Sequence, residues 1–284
     1  MGRYRKILVA FDGSESSRNA LRQAIRLAQA EKCWVKVVAV VPSYEGDLEL
    51  VGVGNIEAAI KGPGEKLLAE AKAIAGSEGG SIITDLEQGE AYERIVDVAS
   101  VENCDIIVMG RRGKARLERA LMGGVTARVI GHTDRDVLVL PRNASVGWKN
   151  IILPTDGSRF SDAAVERAID LAKSFGGGIH AVSVVDVNEE FQAEAPDAVS
   201  KLIQRAKALL ESVKARAEAA GVKVDIAVIE GSPAESIAGM VEDRGADMVI
   251  MGSHGKTGLK RLLMGSVTEK VIGLVGCPVL VVRV

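Results

Sequence analysis

Short apolar runs alternate with longer amphipathic stretches along the whole chain. In the first half, runs rich in Val, Ile and Leu predict strands over 6–11, 35–41, 81–86, 105–109 and 136–140. Between them, apolar residues recur every three or four positions, which predicts helices over 14–30, 55–77, 90–101 and 124–131. The strand runs are nearly continuous rather than alternating, as is typical of parallel strands covered on both faces. Right-handed βαβ units of this kind predict a doubly wound, Rossmann-like α/β sheet with helices on both faces.

The same order of segments occurs twice. KILVAFDGSESSRNALRQAIRLA near the start matches NIILPTDGSRFSDAAVERAIDLA in the second half, which makes Asp12 and Asp156 equivalent. Further on, DIIVMGRRGKARLERALMGGVTARVIG matches DMVIMGSHGKTGLKRLLMGSVTEKVIG. We therefore predict two tandem domains of one fold, over residues 1–145 and 146–284, each of a common domain size.

Glycines and a hydroxyl residue follow the fourth strand of the second half, in the stretch GSHGKTGLKRLLMGS. Gly252 and Gly255 lie three positions apart, and Gly265 with Ser266 follows after nine further residues. Glycine lets a backbone bend sharply, and a helix start offers free N–H groups and the positive end of its dipole to an anion. This arrangement predicts a phosphate-binding site at the carboxyl ends of the strands, where doubly wound sheets bind their ligands.

The spacing G-x2-G-x9-G-[ST] resembles the signature of the ATP-binding branch of the universal stress protein family. The resemblance covers almost the whole chain, as a tandem fusion of two such domains. It implies a five-stranded parallel sheet of order 3-2-1-4-5 in each domain, and ATP or AMP, with or without magnesium, as the cofactor. It also implies that the final strands of the two halves pair across a two-fold axis in an internal pseudo-dimer. Dimerisation of whole chains stays open.

The second half matches this pattern throughout. Asp156 is expected to meet the ribose or the polar edge of adenine, although a turn or a helix cap would also place an aspartate there. Val185 would offer backbone groups to adenine, and Ser266 would act as a phosphate ligand or as a helix cap. We interpret His254 as a phosphate or solvent contact, with general acid chemistry as the alternative. The predicted nucleotide-binding residues of this half are Pro154, Thr155, Asp156, Val185, Met251, Gly252, Ser253, His254, Gly255, Gly265, Ser266, Val267 and Thr268.

The first half departs from the pattern. Gly124 replaces the hydroxyl residue, Phe11 replaces a threonine, and Arg111 and Arg112 replace the Ser-His pair of the second loop. The lost hydroxyl removes one phosphate hydrogen bond, worth about 1 kcal/mol. The two arginines either offset that loss or extend into solvent, so nucleotide binding here stays open. The candidate residues are Asp12, Val41, Gly110, Arg111, Arg112, Gly113, Gly123, Gly124, Val125 and Thr126.

Composition excludes several function classes. A net charge of −2 gives no basic field for nucleic acid or anionic membranes. The apolar runs are much shorter than the roughly 20 residues that a membrane helix needs. Cys33, Cys104 and Cys277 lack C-x-x-C spacing, and the histidines lack metal-ligand spacing, which indicates reduced thiols, no metal site and a cytoplasmic location.

Three functions remain, and we predict the first: a nucleotide-binding stress-response or regulatory switch with an unidentified protein partner. The second is a slow ATP-hydrolysing enzyme, but neither loop contains a carboxylate placed to orient a water, so we predict no catalytic residue. The third is an interaction scaffold whose first half no longer binds nucleotide. Gly255, Lys256 and Thr257 do not form a P-loop, because Ile250 occupies the position of its first glycine.

Overall fold

The computed structural model describes residues 4–43, 56–112, 122–256 and 264–284, the side chains of residues 56–59 and 189 excepted. The chain divides into two compact units, Met1–Asn143 and Ala144–Val284. Both units are α/β folds built on parallel strands.

Unit 1 is a doubly wound sheet. Its strands are β1 (Lys6–Ala10), β2 (Trp34–Val41), β3 (Ile83–Gln88), β4 (Ile106–Gly110) and β5 (Asp136–Leu140). Its helices are α1 (Glu15–Glu31), α2 (Ile56–Ser77), α3 (Ala91–Val101) and α4 (Gly124–His132). The strands are parallel and lie in the order β3-β2-β1-β4-β5.

Unit 2 repeats this plan. Its strands are β6 (Asn150–Pro154), β7 (Gly178–Val185), β8 (Lys223–Glu230), β9 (Met248–Gly252) and β10 (Val279–Val282). Its helices are α5 (Arg159–Phe175), α6 (Glu189–Glu194), α7 (Pro196–Ala219), α8 (Pro233–Asp243) and α9 (Ser266–Leu274). The strand order is β8-β7-β6-β9-β10. The predicted α/β class and the 3-2-1-4-5 order are thereby confirmed in both units.

The continuous apolar runs form the centre of each sheet. Every residue of β4 and of β9 is buried, as the absence of alternation predicted. The edge strand β3 is only partly buried along its length, and it lies at 83–88 rather than at the predicted 81–86. A half-exposed strand has a weaker apolar pattern, so its bounds are harder to predict.

One serine caps the N-terminus of the first helix in each unit. The Oγ of Ser14 accepts a hydrogen bond from the backbone N–H of Ser17 at 3.2 Å, and Ser158 accepts one from Ser161 at 3.2 Å. Each serine is therefore the N-cap, and the helix begins one residue later, at Glu15 or Arg159. These caps follow directly on β1 and β6, at the point where the strand order reverses.

Candidate functional site

A cavity of about 230 Å³ lies at the carboxyl ends of β6 and β9. All but two of the predicted second-half residues line it, the exceptions being Ser253 and Val185. Sequence reasoning missed five further lining residues, namely Ser161, Val182, Val184, Pro233 and Ile237. The structure therefore brings together residues from β6, β7, β9 and the starts of α5, α8 and α9.

Val182 and Val184, rather than Val185, line the cavity from β7. Successive side chains of a strand point to opposite faces, so Val182 and Val184 share the face that Val185 does not. The backbone carbonyl of Val185 accepts a hydrogen bond from Gly231 N–H at 3.0 Å. The sequence prediction named Val185 because it is the last residue of the strand. The alternation of side chains along a strand would have indicated that Val182 and Val184 share one face and that Val185 lies on the other.

The start of α9 faces this cavity without a side-chain cap. Gly265 is the N-cap and makes no side-chain hydrogen bond, and Ser266 is the first helical residue, so Ser266 is not the cap that one interpretation predicted. The first backbone N–H groups of a helix have no partner within the helix. In α9 these groups belong to Ser266, Val267 and Thr268, all of which line the cavity.

The glycines of the motif fit against the protein's own backbone. A Cβ added to Gly252 would lie 2.6 Å from the carbonyl carbon of Phe160, at the start of α5. A Cβ on Gly265 would lie 3.3 Å from the Cα of His254, and one on Gly255 would lie 2.8 Å from an Asp156 oxygen. These glycines therefore let strand, loop and helix pack closely enough to form the cavity, and their further role in letting a ligand approach the backbone stays a prediction.

Thr268 has a similar structural role. Its hydroxyl is buried and donates a hydrogen bond to the carbonyl oxygen of Gly252 at 2.9 Å. The equivalent Thr126 donates to Gly110 at 3.2 Å in unit 1. Each threonine thus ties the uncapped helix start to the end of the neighbouring strand, and its side chain does not offer its proton to a ligand.

Asp156 holds two loops together. One oxygen accepts from Ser158 N–H at 2.9 Å and the other from Lys256 N–H at 2.8 Å. Burial by itself would raise the pKa of Asp156, but these backbone N–H groups, helped by the hydroxyls of Ser158 and Ser161, lower that pKa overall. The carboxylate is thus charged and fixed at the mouth of the cavity.

His254 lies in the glycine loop, where its ring Nδ1 is 3.1 Å from the Oγ of Ser253. Its ring centroid is 5.1 Å from that of Phe160, so the imidazole packs against the start of α5. Ser253 is fully buried beneath the loop, which explains why it does not line the cavity. His254 itself does line the cavity.

Unit 1 has an equivalent cavity of about 400 Å³ at the carboxyl ends of β1 and β4. Its lining includes seven of the predicted first-half residues, which are Asp12, Gly110, Arg112, Gly123, Gly124, Val125 and Thr126. Val41 and Arg111 do not line it, and Val38 and Val40 take the place predicted for Val41. Gly113 lies outside the described residues.

The frame of this first cavity matches that of the second. A Cβ on Gly110 would lie 2.6 Å from the Cβ of Ser16 in α1, which again makes glycine necessary for close packing. Gly123 is the N-cap of α4, makes no side-chain hydrogen bond, and leaves the first N–H groups of α4 facing the cavity. A Cβ on Gly124, in contrast, would meet no atom within 4 Å.

The described part of the chain contains neither a cluster of metal ligands nor a helix that could cross a membrane. In residues 4–43, 56–112, 122–256 and 264–284, no group of three or more His, Cys, Asp and Glu side chains is placed to hold a metal ion. Over the same ranges, no helix combines the length and the apolar character needed to span a membrane.

Comparison with known proteins gives consistent matches. The model of the universal stress protein family matches the chain twice, over residues 3–141 and 147–283. Universal stress protein MJ0531 of Methanocaldococcus jannaschii is 42% identical over 146 residues, which cover 50% of this chain and 86% of that protein. The solved structure of a universal stress protein from Archaeoglobus fulgidus covers 98% of this chain and 96% of its own, with 21% identity and a TM-score of 0.75. A universal stress protein solved in complex with cAMP is 26% identical, and the match covers 48% of this chain and 97% of its own, with a TM-score of 0.40. With two consecutive matches that span nearly all of its length, the chain belongs to the universal stress protein family.

Proposed function

We propose that each unit binds an adenine nucleotide, ATP or AMP, in the cavity at its strand ends, and that the protein acts as a stress-response or regulatory switch. The phosphates would lie against the uncapped helix start, and the base would lie between apolar side chains deeper in the cavity. A protein partner would then recognise the occupied state.

The apolar part of the second cavity suits a flat purine ring. Its apolar lining includes Val182, Val184, Pro233, Ile237 and Met251. Ile237 and Met251 are themselves nearly buried, so the wall is held by the core of the unit. A slot lined mainly by apolar groups, with a few polar groups at one end, is the usual form of a small-molecule site.

The polar end carries the proposal, and the single observation that supports it best is the uncapped start of α9. The first helix of the same unit has its N-terminus capped by Ser158, whereas α9 has a glycine at the capping position. Ser266, Val267 and Thr268 line the cavity, and as the first residues of α9 they carry N–H groups that have no partner within the helix. Donors of this kind, together with the helix dipole, bind phosphate.

Asp156 would contribute orientation more than direct recognition. Both of its oxygens already accept backbone hydrogen bonds, yet each carboxylate oxygen can accept more than one. A ribose hydroxyl could therefore donate to Asp156 while the loops stay in place. In this view the aspartate keeps the glycine loop beside the sugar.

Rapid hydrolysis is not part of the proposal. Asp156 is the only carboxylate among the described residues that line the second cavity, and its two oxygens are held by N–H groups. We therefore expect ATP turnover below roughly 1 per second, the lower end of ordinary enzyme rates. Magnesium would enter with the nucleotide phosphates, because the described residues provide no cluster of ligands for it.

A charge placed at the helix start tests this proposal. Ser266→Asp puts a carboxylate where the phosphates would lie, and an acidic residue in the first turn is itself favourable to a helix by roughly 0.3–1 kcal/mol. We expect the folded stability to be kept while calorimetry shows the loss of one nucleotide site per chain. The matched control is Asn188→Asp, which adds the same charge at the N-cap of α6, a residue that does not line the cavity. Unchanged ATP binding by Ser266→Asp would contradict the proposal.

The ligand retained by the unmodified protein gives a second readout. After denaturation of the purified protein, mass spectrometry of the released small molecules should detect an adenine nucleotide. The Ser266→Asp variant should release less of it than Asn188→Asp does. Retention of a ligand without an adenine base would contradict the base assignment.

A further inference from the structure

The cavity of unit 1 is larger than that of unit 2, and two residues of its wall are smaller than their equivalents, although Phe11 replaces the smaller Thr155. Its volume is about 400 Å³, against about 230 Å³ for the second cavity. Ala91 at the start of α3 occupies the place of Pro233, and Gly124 at the start of α4 occupies that of Ser266. The space beside Gly124 is open to at least 4 Å. The end of unit 1 that faces the helix start therefore has room for a bulkier anionic group.

The same end of unit 1 carries more positive charge. Arg112 lines the first cavity at the position where His254 lines the second. A guanidinium stays protonated throughout the working pH range and offers a planar fork of donors that matches phosphate oxygens. Burial, followed by the nearby charge of Arg112, lowers the pKa of Arg111. Two neighbouring guanidinium groups thus repel each other beside the cavity, and an anion of high charge would relieve that repulsion.

We propose that the two cavities select different adenine nucleotides: unit 1 favours the triphosphate over the monophosphate, and unit 2 discriminates much less between them. This inference rests on the proposed function, because it assumes that both cavities bind nucleotides. The residues that set the difference are Arg112 and Gly124 in unit 1 and His254 and Ser266 in unit 2. A single chain would then respond to the ratio of triphosphate to monophosphate rather than to either concentration alone.

The expected size of the difference follows from the added charge. A hydrogen bond to a charged partner is strong enough to change affinity by about tenfold or more. AMP has a single phosphate and ATP has three, so Arg112 adds more to the binding of ATP. We expect the ATP-to-AMP affinity ratio of unit 1 to exceed that of unit 2 by at least about tenfold at low salt.

Calorimetry on the full chain tests this, with one cavity blocked at a time. In the Ser266→Asp background, ATP and AMP are titrated into unit 1, and in the Gly124→Asp background they are titrated into unit 2. Exchange variants then follow: Arg112→His in the first background should reduce the ATP-to-AMP ratio, and His254→Arg in the second should increase it. Thermal melting of each variant checks that the protein remains folded.

The outcomes separate the two proposals. The proposed difference in selectivity would be overturned if the ATP-to-AMP affinity ratio were the same in the two backgrounds, or if the exchange variants left it unchanged. Either result would leave the proposal of nucleotide binding intact. If neither ATP nor AMP bound in either background, while the unmodified protein also failed to bind them, both proposals would be overturned. A tenfold difference that reverses with the exchanged residues is the expected result.

Discussion

The two cavities share a frame but differ in the side chains that a ligand would meet. In both units a glycine at the end of the fourth strand packs against the first helix, and a buried threonine bonds back to that glycine. The lining differs at the helix start and in the glycine loop, where Gly124 and Arg112 face Ser266 and His254. The comparison shows that the glycines and the threonine hold the helix start in the same way in both units, and we propose that the residues that differ at the helix start and in the glycine loop set the ligand chemistry.

The largest expected effect concerns the frame. Gly252→Ala would place a Cβ 2.6 Å from the carbonyl carbon of Phe160, and relieving such a clash should lower the free energy of unfolding of unit 2 by about 2 kcal/mol or more. Trp148 is buried in unit 2 and stacks on Phe175, so its fluorescence during denaturation reports on this unit once Trp34 of unit 1 is replaced by phenylalanine.

The matched control for this change is Gly124→Ala. It is the same substitution at a position where the new Cβ meets nothing within 4 Å, and a helical alanine should stabilise unit 1 by up to about 1 kcal/mol. If both variants changed the free energy of unfolding by the same amount, Gly252 would not be needed for close packing in a way that Gly124 is not.

A second prediction concerns Asp156, whose pKa lies below its ordinary value of 3.8. A carboxylate with a lowered pKa stabilises the folded state above its unfolded pKa, and this stability is lost as the pH falls through the folded pKa. Asp156→Asn places an amide where Lys256 N–H or Ser158 N–H needs an acceptor, which should cost about 1–3 kcal/mol near neutral pH. Denaturation followed through Trp148 should show the gap between the two proteins narrowing as the pH falls below about 4. A gap that stays constant as the pH falls further, through the lowered pKa of Asp156, would show that the charge of Asp156 does not stabilise the loops.

A smaller effect is expected when the lining of one cavity is changed to match that of the other. Gly124→Ser adds to unit 1 the hydroxyl that Ser266 supplies in unit 2, and the open space beside Gly124 can hold it. One added hydrogen bond should raise the affinity of unit 1 for AMP by about fivefold, and Ser266→Gly should lower that of unit 2 by a similar factor. Calorimetry in backgrounds with one cavity blocked measures both, and a change in only one unit would show that the two helix starts are not equivalent.

Much of the fold could be predicted from the sequence because the strands are continuous apolar runs with clear breaks. The apolar pattern predicted the bounds of β5, and it predicted those of β4 to within one residue. For the partly exposed β3, the predicted bounds were two residues too early. The strand order came from the family resemblance, since local pattern does not determine which strands are neighbours.

The sequence predicted which segments form the candidate site more accurately than which side chains of those segments line it. The glycine loops and helix starts were predicted as lining and do line the cavities, but Val41 and Val185 were chosen where Val40 and Val184 line them. The sequence prediction gave Gly252 a role towards the ligand and missed its close packing against Phe160. Sequence shows where a glycine is, but only packing shows which atom fills the space that a Cβ would take.

Amide resonances offer the most direct test of the claim that uncapped helix starts hold the phosphates. In an isotope-labelled protein titrated with ATP, we predict that the backbone N–H signals of Ser266, Val267 and Thr268 shift strongly as they gain a phosphate acceptor. The N–H of Gly177 is an internal control, because it lies outside the cavity beyond the other end of α5, already donates to the carbonyl oxygen of Ala172 and should move little. Shifts confined to residues outside the start of α9, or the absence of any shift at saturating ATP, would contradict the account.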